Sequence, residues 1–221
     1  MSQSGVSIFC MEESFEHIVY SKNVIEFVTV AKEFCSFAES VNDYKRKEFV
    51  TVATRIIPLL YLKASVLPKV EPELDESIDK SVDEMTYTQI QDGVSAKLGR
   101  FNDYLEVFTP DMQRSDTPII AFIGEDIADI YQDLKDFLSA YRLGVTEIMN
   151  DALAEVVNNF ELYWGQRTVN TLRALHAVLH GDEDLEEEEG EEAYQESQQK
   201  ENWYNRMQQD WQDDNDETPL L

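Results

Sequence analysis

The chain has 221 residues, 43% of them apolar, and a formal net charge of −27 from 45 acids against 18 Lys and Arg. That length suffices for one core plus a tail. The charge excludes a direct binder of nucleic-acid phosphates, which needs clustered Lys and Arg, and a binder of anionic membrane surfaces, while basic partners and divalent cations stay compatible with it.

No transmembrane helix is expected. The longest apolar run, Ile56 to Leu62, is short and interrupted by Pro58. No Lys or Arg precedes Lys22, which argues against a signal peptide. Cys10 and Cys35 make no disulfide framework and no CxxC, so a reducing cytoplasm is expected. Residues 1–20 read as weakly structured, and Met11 competes with Met1 as the start.

The first clear helix is expected over Lys22–Val41. Val24, Phe27, Val28, Ala31, Phe34, Cys35, Ala38 and Val41 recur at steps of three and four, and Ser21 suits the N-cap. Cys35 lies on this stripe and reads as core packing. A second helix spans about Lys45–Leu67 on Phe49, Val52, Ala53, Ile56, Leu59, Leu60 and Val66, with Pro58 set to kink or split it. Lys69–Glu84 holds seven acids, two lysines and no periodicity, and reads as a surface loop. A short helix follows over about Thr86–Leu98, closed by Gly99, and Phe101–Phe108 continues it or forms a second short piece. Ser115-Asp116-Thr117-Pro118 marks the start of a helix running to about Leu143, ended by Gly144. One long final helix, about Val145–Leu179, is interrupted only by Gly165, where it is expected to bend.

No segment alternates with a period of two, so no sheet is expected. The fold class is all-α: a bundle of four to six helices over 21–181. Residues 182–221 carry 16 acids against Lys200 and Arg206, and such runs repel themselves, so a disordered acidic tail is expected.

The sharpest motif is the row Asp126, Asp129, Asp133 and Asp136, whose steps of three and four place it on one face of a helix. The bland interpretation is a solvated face opposite the apolar stripe. The alternatives are a divalent-cation site, since hard cations want carboxylate oxygens, or a dock for a basic partner. A metal hydrolase needs matching acids on a facing helix. Glu26 and Glu33 are a poor match, and Glu13 and Glu16 lie in the weakly patterned N-terminus. His176 and His180 share a face and suit the last turn of a helix, with no HExxH motif. Near Trp164, polar residues interrupt an apolar stripe. Trp164, Arg167, Asn170, Arg173 and His176 are therefore a candidate pocket or a structural hydrogen-bond network. Trp164, Arg173 and His176 are further expected to converge with Asp133, which requires the bend at Gly165. In the tail, Trp203, Tyr204, Met207 and Trp211 carry a short apolar face at helical spacing, a candidate anchor for a partner's groove.

Several stretches resemble the DUF5063 family, bacterial proteins of unknown function: DIADIYQDLKDFL at 126–138, FELYWG at 160–165, LRALH at 172–176 and YLKASVLP at 61–68. The resemblance covers about Ser21–His180. It implies a helical domain and a bacterial cytoplasm, and it transfers no catalytic residue. The acidic tail lies outside the family pattern.

No nucleophile–base pair, phosphate-binding loop or strong metal constellation is visible, so no catalytic or cofactor residue is assigned. The expectation is a non-enzymatic interaction or adaptor module for a protein with a basic surface. The alternatives are a Mg- or Mn-dependent all-α phosphate-ester hydrolase and a small-molecule-binding bundle. Facing carboxylates able to share one cation would favour the hydrolase.

Overall fold

The computed structural model describes residues 17–74, 78–106 and 119–185. The chain divides into a unit of residues 1–183 and a unit of residues 184–221. Among its described residues the first unit holds six α-helices: α1 (Lys22–Glu39), α2 (Arg46–Ser65), α3 (Glu84–Leu98), α4 (Ile123–Tyr141), α5 (Thr146–Asn159) and α6 (Gly165–His180). This is an all-α bundle with one small two-stranded ribbon, β1 (Asp103–Leu105) against β2 (Ile120–Phe122).

The 3.6-residue stripes become the core. Val24, Phe27, Ala31, Phe34 and Cys35 of α1 are buried, as are Ile127, Ile130, Tyr131 and Leu134 of α4. Each such large side chain contributes about 1.5–3 kcal/mol by leaving water. Trp164 is fully buried and stacks on Phe27 at 6.5 Å between ring centroids, with Phe160 edge-on at 4.7 Å. Burial pushes the Cys35 thiol up to about 12, so it packs as an inert hydrophobe.

Five expectations from the sequence need correction. Pro58 does not split α2, which runs unbroken through it with α1 and α6 packed alongside. The buried row of α2 is Phe49, Ala53, Ile57, Leu60 and Ala64, while Leu59 and Val66 are exposed. Apolar residues sit on most faces of that helix, so periodicity alone left its rotation undetermined. The helix expected to start near Pro118 starts at Ile123, and the residues before it form β2. Its partner β1 replaces the helical continuation expected after Phe101. Asn102 locks the ribbon to α4, its side-chain oxygen accepting from Gly124 N at 2.9 Å and its carbonyl from Ile123 N at 2.8 Å. Finally, the single last helix is two. A π-helical turn, Phe160–Trp164, joins α5 to α6. Gly165 follows it because a Cβ there would lie 2.4 Å from the Phe160 carbonyl oxygen.

Between α2 and α3 the chain forms a strap across α5 and α4, described over 66–74 and 78–83. Asp83 caps α3 by accepting from Thr86 N at 2.8 Å.

Candidate functional site

The acidic row lies on α4, which is packed against α1, α3, α5 and α6. The part-exposed side of α4 left between these helices carries Glu125, Gln132, Lys135 and Ser139, whereas the acidic row begins and ends in buried residues, which overturns the solvated-face interpretation. Asp126 is 0% exposed and Asp136 6%. Buried carboxylates need donors, and each of the four has them.

Asp126 accepts from the Tyr104 hydroxyl, from Arg167 at 2.8 Å and from the Thr171 hydroxyl at 3.0 Å. Asp129 accepts from the hydroxyls of Tyr87 at 2.8 Å and Tyr163, and lies 3.6 Å from Arg167 Nε. Arg167 also stacks over the Tyr163 ring, 5.1 Å from its centroid. Burial raises the Asp126 carboxyl, and its donors Tyr104, Arg167 and Thr171 oppose that rise. Burial likewise opposes the Arg167 charge, but the bond to Asp126 outweighs it and holds the guanidinium above its ordinary value. Burial and the Asp129 carboxylate push the Tyr163 hydroxyl up to about 12, so at neutral pH it is a donor and not a base.

Lower on the helix, Asp133 accepts from Asn159 Nδ2 at 2.7 Å. Asp136 accepts from the backbone and hydroxyl of Ser81 and the backbone of Val82. The strap is held a second time by α5. Asp151 accepts the amides of Glu73 at 2.6 Å and Leu74 at 2.9 Å, and Asn150 Nδ2 donates to the Glu71 carbonyl at 2.7 Å. Lys80 of the strap bonds Glu155 and lies 3.7 Å from Asp136 Oδ2. Its ammonium occupies the place where a cation shared by α4 and α5 would need to sit. Among the described residues no group of three or more His, Cys, Asp or Glu is arranged to hold a metal.

The five candidate pocket residues have different surroundings, and none lines the groove described below. Trp164 is core, its indole N–H donating to the Val156 carbonyl at 3.2 Å. Arg167 belongs to the Asp126–Asp129 network. Asn170 is 3% exposed, and its Nδ2 has no partner. Arg173 is exposed and donates to the Leu105 carbonyl at 2.8 Å. His176 is exposed, with its ring 4.6 Å from that of His180. The expected convergence of Trp164, Arg173 and His176 on Asp133 is therefore incorrect. Asp133 is met by Asn159, before the π turn, and Arg173 reaches the ribbon instead. Tyr87, Tyr104, Tyr163 and Thr171 went unnoticed in the sequence, because nothing local in it marks a hydroxyl that bonds a carboxylate 22 to 45 residues away. Trp203, Tyr204, Met207 and Trp211 lie outside the described residues.

A groove of about 460 Å³ opens between the strap and α5. Asp151, Ala154, Glu155, Val157 and Asn158 of α5, with Glu161 of the π turn, form its helical wall. Lys69, Glu71, Pro72, Leu74 and Ile78 form the opposite wall. Four carboxylates thus face one ammonium in the lining. Lys69 is paired with Glu161 at 2.7 Å, and the Glu71 carboxylate has no ion-pair partner among the described residues.

The profile of the family described as a domain of unknown function, DUF5063, matches residues 18–181. The chain belongs to the DUF5063 family. It is similar to the crystal structure of protein BF1032 from Bacteroides fragilis, a structural-genomics target, at 47% identity and a TM-score of 0.69, over 76% of this chain and 98% of that one. No curated protein matches. The conclusion these comparisons support is a helical domain of unknown function. Among the described residues no helix is long and apolar enough to cross a membrane.

Proposed function

We propose that this chain is a non-enzymatic interaction module whose partner is a protein with a basic surface. The observation that carries this reading is how the charges are used. The carboxylates best placed for chemistry, Asp126, Asp129, Asp133 and Asp136, are committed to donors within the fold. Several cations are committed too: Lys63 to Glu26, Lys135 to Glu39, Lys80 to Glu155 and Arg167 to Asp126. With 18 Lys and Arg for 45 acids, the surplus negative charge has no internal counterion. Such a field attracts basic surfaces and speeds their association. It also disfavours direct contact with nucleic acid or anionic lipid.

The test is affinity purification of the full chain from its native cells at low and high salt, beside a chain ending at residue 181. A stoichiometric basic protein partner that dissociates as salt rises supports the proposal. A partner that is acidic, or whose binding ignores salt, refutes it.

The runner-up is a metal-dependent hydrolase drawing on Asp133 and Asp136 of α4 and Glu155 of α5, which line one small cavity but are not arranged to hold a metal as they stand. What favours it is the juxtaposition of carboxylates from two helices. The Lys80 ammonium among them speaks against it, since a divalent cation would have to displace a bonded lysine.

A further inference from the structure

We infer that the groove between the strap and α5 receives a lysine or arginine side chain from the partner's basic surface, an inference that rests on the interaction-module reading.

The groove combines three properties that such a side chain needs. The first is room. About 460 Å³ falls within the roughly 300–1,000 Å³ of sites that bury most of a small ligand. The space exists because Ala154 stands on the α5 face that the strap arches over, and a larger residue there would fill it. The second is an apolar bed. Pro72, Leu74, Ile78, Ala154 and Val157 line the interior, and the aliphatic stem of a lysine or arginine lies favourably along such surface while its charged head stays polar. The third is charge. Lys80 and Lys69 pair with Glu155 and Glu161, while Glu71 and Asp151, the latter bonded by two strap amides, have no ion-pair partner among the described residues. The exposed Asn158 amide supplies a hydrogen-bonding group at the rim. An aliphatic stem ending in a cation matches this order of apolar floor and anionic rim. A phosphate or carboxylate ligand does not.

The described residues of the strap are tied to the helices. Asp136, Asp151 and Asn150 bond its backbone at both ends, and His17 lies 3.5 Å from Glu73 at its outer edge. These bonds hold Glu71 to Leu74 against α5, which lowers the ordering that binding at that wall must impose.

The experiment is a titration of the full chain, labelled with nitrogen-15, with three acetylated and amidated pentapeptides: Gly-Ala-Lys-Ala-Gly, its arginine counterpart and its norleucine counterpart. Free butylamine is the fourth ligand. The expected result is amide shift changes concentrated at Leu74, Ala154 and Asn158 with the lysine or arginine peptide and none with norleucine. Glu71→Gln should weaken binding roughly two- to fivefold, as for a partly exposed ion pair. Ala154→Phe should weaken it more than about tenfold by filling the space, with an unchanged circular dichroism spectrum showing that the variant folds. Shifts scattered over the surface and insensitive to Ala154→Phe would overturn the site in favour of general attraction by net charge. Butylamine binding as tightly as the peptides would overturn the peptide assignment. If the cellular complex survives Ala154→Phe, the groove is wrong while the interaction-module reading stands. If no basic partner exists, that reading fails whatever the peptides do.

Discussion

Asp136 accepts both the backbone N–H and the hydroxyl of Ser81 on a single carboxylate oxygen, at 2.7 and 2.9 Å. A residue in the sequence's most conspicuous acidic row thus serves as the anchor of a loop 55 residues earlier.

This relationship predicts the effect of Asp136→Ala. Removing a charged acceptor from the strap should cost about 1.5–3 kcal/mol of stability, read by urea denaturation. The amides of Ser81 and Val82 should exchange with solvent much faster than in the parent. Unchanged exchange at those two amides would show that the strap is held some other way.

The Arg167–Asp126 pair predicts a thermodynamic cycle. Arg167→Met leaves a buried carboxylate without its cation and should destabilise by about 3–5 kcal/mol. Adding Asp126→Asn should restore much of that loss, because Tyr104 and Thr171 can still bond an amide oxygen. Additive losses would indicate that the two residues act independently.

Two carboxylates should respond to pH in opposite senses. Burial works to raise Glu39, but Lys135 and Tyr131 outweigh it and hold it below its ordinary 4.5. Its contribution is therefore complete above that value and is lost as pH falls through the lower folded one. Glu39→Gln should lose roughly 0.5–1 kcal/mol at neutral pH, and the difference should vanish in acid. For Asp133, burial leads and raises the carboxyl above 3.8 despite the Asn159 bond. Its ionised form is disfavoured in the fold, so stability declines as pH rises from the ordinary value through the raised one. Asp133→Asn should melt at the same or a higher temperature at neutral pH and match the parent in acid. Thermal melts of both variants across pH 3–8 check the pair; parallel behaviour would be inconsistent with these assignments.

Glycines at two close approaches should not tolerate a methyl group. A Cβ at Gly124 would lie 2.3 Å from Ser95 Oγ and 2.8 Å from the Gln91 carbonyl oxygen, where α4 meets α3. At Gly165 it would meet the Phe160 carbonyl at 2.4 Å. Each Gly→Ala change should cost about 1–3 kcal/mol. Gly144→Ala meets no atom within 4 Å, and its penalty should come only from the backbone at φ +71°. Equal and negligible losses at Gly124 and Gly165 would contradict the packing described.

The sequence by itself determined that the chain is helical and which faces of α1 and α4 are core, because a 3.6-residue apolar period must be buried on one side whatever lies opposite. Val24, Phe27, Ala31 and Phe34, or Ile127, Ile130 and Leu134, could be picked out from spacing alone. It also determined the charge surplus and the position of Gly165 as an interruption. Only the tertiary structure decided what the polar residues do. The period of Asp126, Asp129, Asp133 and Asp136 places them on one face, but whether that face meets water depends on how many helices surround it. Hydroxyls, strap amides and guanidinium groups from distant segments supply the donors, and no local pattern records which donor reaches which carboxylate. The same holds for the ribbon. Tyr104 and Leu105 lack a long alternating run, and they become strand only by pairing with Ala121 and Ile120 across the chain. Local periodicity encodes burial of apolar surface, whereas the partners of buried charge are set by long-range packing.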